Sequence, residues 1–166
     1  ICVVVYILGA IYLRKWTWRD LDIRLDTITW KNFLLAVLSL IAGIGWLWLL
    51  GHFNPLKWNL TNATVIGLIK WGLLGVLGQV LIYQGYLPRI GRQIFGEKSA
   101  LNFWWVTICF AGMHLIFRDT SRVMSVILPA APLFTWLYWK CRNSILVSIV
   151  HMPLTVIVIL EGLFNI

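Results

Sequence analysis

The chain has 166 residues, of which 60% are hydrophobic, only 12% are charged and 11 are tryptophan, and its mean hydropathy is +0.84. Soluble domains average about 25% charged residues, so the composition excludes an ordinary soluble domain and points to an all-α polytopic protein of the lipid bilayer. A net charge of +8 would suggest nucleic acid as partner of a soluble protein. Here the basic residues sit in loops and set topology instead, so no nucleic-acid partner is expected.

The first apolar run, ICVVVYILGAIYL at 1–13, lacks the basic n-region and the A-x-A-like site of a signal peptide. It reads as the remainder of a first spanning helix whose beginning is missing. Residues 14–32, RKWTWRDLDIRLDTITWKN, alternate charge with Trp, Leu and Ile. That pattern predicts a cytoplasmic interfacial segment held at headgroup level by its aromatic and basic residues.

Five uncharged stretches follow, Phe33–Leu50, Trp71–Leu87, Ala100–Phe117, Val123–Trp139 and Ser144–Leu160, each of 17 or 18 residues. A spanning helix needs about 20 apolar residues, with a lower limit near 17. Extended past Lys70 and Glu161, they predict spans at about 33–51, 64–87, 100–117, 123–139 and 144–164. With 1–13 this makes a single domain of about six transmembrane helices. The loop before 64 carries Asn54-Pro55 and a helix start at Thr61 or Asn62. Its two sequons, at Asn59 and Asn62, lie too close to the membrane of a bacterial protein to be expected glycosylation sites.

Residues 88–99 read as a short basic amphipathic connector, and Pro129, Pro132 and Pro153 predict kinks within the last two spans. Loop charge sets the orientation. Ten basic residues fall on one side, five in 14–32, three in 88–99 and two in 140–143, against Lys57, Lys70, Arg118 and Arg122 on the other. The positive-inside rule then makes 14–32, 88–99 and 140–143 cytoplasmic, in a bacterial inner (plasma) membrane. Cys2, Cys109 and Cys141 form no disulfide framework and read as small apolar fillers.

Polar groups inside a membrane are costly and therefore informative. The third span carries Gln79, Tyr83 and Gln84, the fourth His114, and the sixth His151 and Thr155. Gln79 and His151 each lie eight residues from the cytoplasmic end of their spans, roughly 12 Å deep at 1.5 Å per residue. Gln79 with Tyr83, and His151 with Thr155, share helix faces at i, i+4. A polar cluster drawn from three helices is expected. Two histidines could share a zinc ion, but catalytic zinc wants a third protein ligand and a carboxylate base. No Asp or Glu lies in the inner part of any span.

The order of these features resembles the CPBP family of intramembrane proteases (CAAX-protease and bacteriocin-processing, or Abi), whose motifs read E-E-x-x-x-R-G, F-x-x-x-H and H-x-x-x-N on successive helices. QVLIYQG (Gln79–Gly85) takes the place of the first, FAGMH (Phe110–His114) satisfies the second, and His151-x-x-x-Thr155 stands where the third belongs. The resemblance runs from about Val65 to Leu163. It implies the family's fold, with zinc at His114 and His151 if the protein were a protease. It also places Gln79, Val80 and Gln84 where the family keeps two glutamates and an arginine, and Thr155 where it keeps asparagine. Without a carboxylate nothing in the motif can deprotonate water at neutral pH.

The expected function is therefore a pseudoprotease, a scaffold or accessory subunit binding a partner's transmembrane helix, a peptide or a lipid, within a larger set of membrane subunits. In that reading no cofactor is needed, and Gln79 joins His114 and His151 in a neutral hydrogen-bond network. One alternative is an active intramembrane endopeptidase whose base is Glu161 or lies in the missing N-terminal part. The other is a subunit of a large complex in which His114 or His151 ligates haem or chlorophyll.

Overall fold

Five helices account for the hydrophobic runs from residue 30 onward: α1 (Trp30–Leu49), α2 (Thr64–Phe95), α3 (Ala100–Met113), α4 (Thr120–Cys141) and α5 (Ser144–Leu160). The computed structural model describes residues 9, 12–13, 15–55, 58, 61–97, 99–116 and 120–162, and among them there is no strand. The expected span at 1–13 lies almost wholly outside the described residues, as does Cys2.

Four of these helices, α1, α2, α3 and α5, begin where a side chain can take up unpaired amides. Thr29 accepts from the Asn32 amide, Thr61 from Thr64, and Ser99 from Leu101. Asn143 accepts from both Ile145 (2.8 Å) and Leu146 (3.1 Å). The helix start expected at Thr61 or Asn62 is thus found, with Thr61 as the cap.

Two helices, α1 with 20 residues and α2 with 32, are long and apolar enough to cross a membrane. Helix α2 is longer than expected. The supposed connector after residue 87 continues as helix to Phe95 and stops at Gly96, whose φ of 89° only glycine adopts freely. At 1.5 Å per residue α2 measures about 48 Å, more than a bilayer's hydrocarbon core of about 30 Å. It is also wound unevenly, with wide π-type turns at Leu68–Gly75 and Leu81–Tyr86.

The centre of the bundle is α5. Nine of its residues are buried, from Ser144 to Ile159, and it packs against α1, α2 and α4. A small residue allows the approach of α1, where a Cβ on Gly43 would come within 2.6 Å of the Leu154 side chain. Helix α3 lies against α4 and against the last part of α2.

Helices α2, α4 and α5 run through their internal prolines. Pro129 cannot donate to the carbonyl of Ser125, four residues earlier, and Trp46 of α1 donates its indole N–H there instead (3.2 Å). Pro88 likewise leaves the carbonyl of Gln84, which accepts from the Ser144 hydroxyl of α5 (3.3 Å). A neighbouring helix supplies the missing donor in both cases, as prolines in membrane helices require.

Residues 15–29 form a strap across one end of the bundle. A short turn, Trp18–Leu21, places Leu21 fully buried against Gly85, where a Cβ would meet the Leu21 Cβ at 3.3 Å. Asp20 pairs with Arg89 (2.9 Å) and Asp22 with Arg92 (3.3 Å). The Tyr138 hydroxyl donates to Asp22 as well, and Arg92 donates to that hydroxyl at 2.9 Å. Ser144 holds the strap backbone from α5, its amide on Asp22 O and its hydroxyl on Leu21 O, both 2.9 Å. Asn143 donates to Arg24 O and to the Thr27 hydroxyl.

Candidate binding site

Between α1, α2, α4 and α5 lies a cavity of about 240 Å³. Gln79, His114, His151 and Thr155 all line it, so four of the six motif positions read from the sequence converge on one space. Val80 and Gln84 do not line it. They are buried elsewhere on α2, 4% and 1% exposed, and the Gln84 Oε1 atom has no hydrogen-bond partner among the described residues.

His114 stands where α3 ends, and its Nδ1 lies 2.8 Å from the Phe110 carbonyl. A carbonyl only accepts, so Nδ1 carries the proton and Nε2 is the acceptor of this ring. His151 is 5% exposed, and its Nδ1 has no hydrogen-bond partner among the described residues. Its ring lies 4.5 Å from that of Phe134 and meets Phe110 edge-on at 5.5 Å. Phe110 also touches the His114 ring, at 4.9 Å. The two imidazoles are thus fixed by shared aromatic packing.

The expected hydrogen-bond network is not made: no hydrogen bond joins Gln79 to either imidazole among the described residues. Tyr83, one turn along α2, is directed away, its hydroxyl 2.7 Å from the Met113 sulfur. The proposed alternative base, Glu161, is committed elsewhere. It accepts from the Asn54 amide and, at 2.7 Å, from the Trp58 indole, tying the α1–α2 loop to the end of α5.

Sequence reading missed the contribution of α1. Ala42, Gly43, Trp46 and Leu47 line the cavity, yet none is an unusual residue in a spanning helix. Trp71 on α2 and Phe134 on α4 were equally anonymous among so many aromatic residues. Pro129 and Ala130 also line it, and a mid-span proline was the one available signal.

The donor set does not fit a resident zinc ion. Two imidazoles are joined here by an amide and a hydroxyl, and among the described residues no three His, Cys, Asp or Glu side chains can hold a metal. Nor does the cavity enclose a tetrapyrrole: 240 Å³ lies below the range of about 300–1,000 Å³ that drug-sized ligands occupy.

Comparison with known protein families, with curated proteins and with solved structures finds no match to this chain.

Proposed function

We propose that the chain is a non-catalytic integral membrane protein on the plan of the CPBP proteases, with six spans in a bacterial inner membrane and 14–32, 88–99 and 140–143 on the cytoplasmic side. It acts as a scaffold or accessory subunit and binds a partner's transmembrane helix, a peptide or a lipid in the cavity between α1, α2, α4 and α5. The observation that carries this reading is the convergence of Gln79, His114, His151 and Thr155 on one cavity with no carboxylate. The CPBP motif places its base in a carboxylate, and the residues that line this cavity include none. The commitment of Glu161 to Asn54 and Trp58 removes the nearest substitute.

The test is purification in mild detergent followed by mass spectrometry and a peptidase assay. A partner subunit or lipid should be retained in stoichiometric amount. Peptide hydrolysis by the purified chain that is lost in His114→Ala would overturn the reading.

A further inference from the structure

We propose that the cavity holds the head of an uncharged, lipid-soluble amphiphile, a planar ring bearing hydrogen-bonding oxygens, which is the chemistry of a quinone or its quinol. The inference rests on the binding role proposed above and names the ligand of that same site.

Charge comes first. No Asp, Glu, Lys or Arg lines the cavity, so a carboxylate, phosphate or ammonium group would enter without a counter-charge, at a heavy desolvation cost. The polar groups present are an amide, a hydroxyl and two imidazoles, all suited to an uncharged ligand with oxygen atoms.

His151 supplies the specific contact. It lines the cavity at 5% exposure, and its ring makes no hydrogen bond among the described residues, so a ligand group that pairs with it offsets the cost of burying it. As an imidazole it can donate to a quinone oxygen or accept from a quinol hydroxyl by changing tautomer. Thr155 follows on the same face of α5, and Gln79 faces them from α2 with both a donor and an acceptor.

Shape argues for a ring. Trp46, Trp71 and Phe134 line the same space, and Phe134 already lies against the His151 ring at 4.5 Å. Stacked or edge-on ring contacts favour an aromatic head over an alkyl one. Access argues for a ligand dissolved in lipid. Ala42 and Trp46 of α1 line the cavity and are both exposed, Trp46 at 41%. The opening therefore lies on the flank of the bundle. A volume of 240 Å³ accommodates the head, while an apolar tail stays outside.

The experiment titrates the full chain in lipid nanodiscs with a decyl-substituted benzoquinone, its quinol, decanol and decanoate, read by calorimetry. One saturable ring-headed ligand per chain is expected, with decanol and decanoate far weaker. His151→Leu should weaken binding roughly tenfold, the worth of one hydrogen bond. Ala42→Trp, at an exposed position on the rim, should abolish binding while the melting temperature holds. That variant decides the matter even where His151→Leu fails to fold. Equal binding of decanol or decanoate, or full binding by Ala42→Trp, overturns the proposal. Should the ring probes fail while a co-purified partner is lost from Ala42→Trp, the ligand class is wrong and the binding role stands. Peptide hydrolysis would instead sink the binding role itself.

Discussion

The indole N–H of Trp46 in α1 donates to the carbonyl of Ser125 in α4, the group that Pro129 leaves without its helical donor. The bond pins two helices together at the rim of the cavity, since Trp46 and Pro129 both line it. Trp46→Phe should therefore cost about 0.6–1.7 kcal/mol, the range for interhelical bonds in membranes. In a Pro129→Ala background the helical amide returns, and the same substitution should cost less. A double-mutant cycle on denaturant unfolding in detergent measures the difference. Equal costs in both backgrounds would show that the indole matters for packing alone.

Carboxylates hold much of the strap at residues 15–29, and its grip should fail in acid. Hydrogen bonds from the Thr17 amide and hydroxyl lower the Asp20 carboxyl below its ordinary range, with Arg89 adding to the shift. Hydrogen bonding to Arg24, then to Arg19, holds Asp26 far below it. A group whose pKa is depressed on folding stabilises fully above its unfolded value, about 3.9 for Asp, and that contribution is lost as pH falls through the folded value. The strap should thus stay closed at neutral pH and loosen below about pH 4. Amide exchange of residues 15–29, corrected for its intrinsic pH dependence, should rise there before that of α5. Asp26→Asn should raise exchange at pH 7 and flatten the acid dependence, most clearly at low salt where exposed pairs are least screened.

The strap also shows where sequence reading stops. Hydropathy located α1, α3, α4 and α5 to within a few residues, because a long apolar run needs a structure that pairs its own backbone groups, and a helix does so. Thr61 was legible as a helix start for a similar reason, since capping is a local matter. Asp22, by contrast, meets Arg92 and Tyr138 across 70 and 116 positions of chain, and nothing in the local pattern names those partners. The segment looked like a membrane-surface anchor because its charges alternate with Trp and Leu. Asp20 and Asp22 turn to Arg89 and Arg92 of α2, while Asp26 stays half exposed. The polar set Gln79, His114, His151 and Thr155 was legible because buried polar residues are rare in apolar helices. Their apolar neighbours on α1 carried no such signal. Helix α2 outran its expected end because Pro88 lost only a donor that Ser144 replaces.

Gly91 and Asn102 make a second close approach, between α2 and α3. A Cβ on Gly91 would lie 2.0 Å from the Asn102 Oδ1 atom. Asn102 is fully buried, and its Nδ2 donates to the Pro88 carbonyl at 3.2 Å. Gly91→Ala should then cost about 1–3 kcal/mol, the usual price of overpacking. Asn102→Ala makes room but sacrifices the bond to Pro88. The double variant should be less destabilised than the two single costs predict, by at least 0.5 kcal/mol. Strict additivity in thermal or denaturant unfolding would place the strain elsewhere.

The resemblance to the CPBP proteases is testable through the same geometry. Gln79 already faces the cavity that His114 and His151 line, so Gln79→Glu adds the third protein ligand that a catalytic zinc site requires. Stoichiometric zinc, measured by elemental analysis after dialysis, should appear in Gln79→Glu and be absent from the same protein carrying His151→Ala. Val80 and Gln84 differ, because both are buried off the cavity, 4% and 1% exposed. Gln84→Arg alone leaves an unpaired buried charge and should cost about 3–5 kcal/mol. Val80→Glu beside it, one helical turn away, provides a partner at i, i+4, and the pair should recover most of that loss. Recovery would explain why a glutamate and an arginine at this spacing can be exchanged only together for an apolar residue and an amide. If the triple variant neither folds nor takes up zinc, the likeness of QVLIYQG to a protease motif is coincidental, and the cavity must be understood without that ancestry.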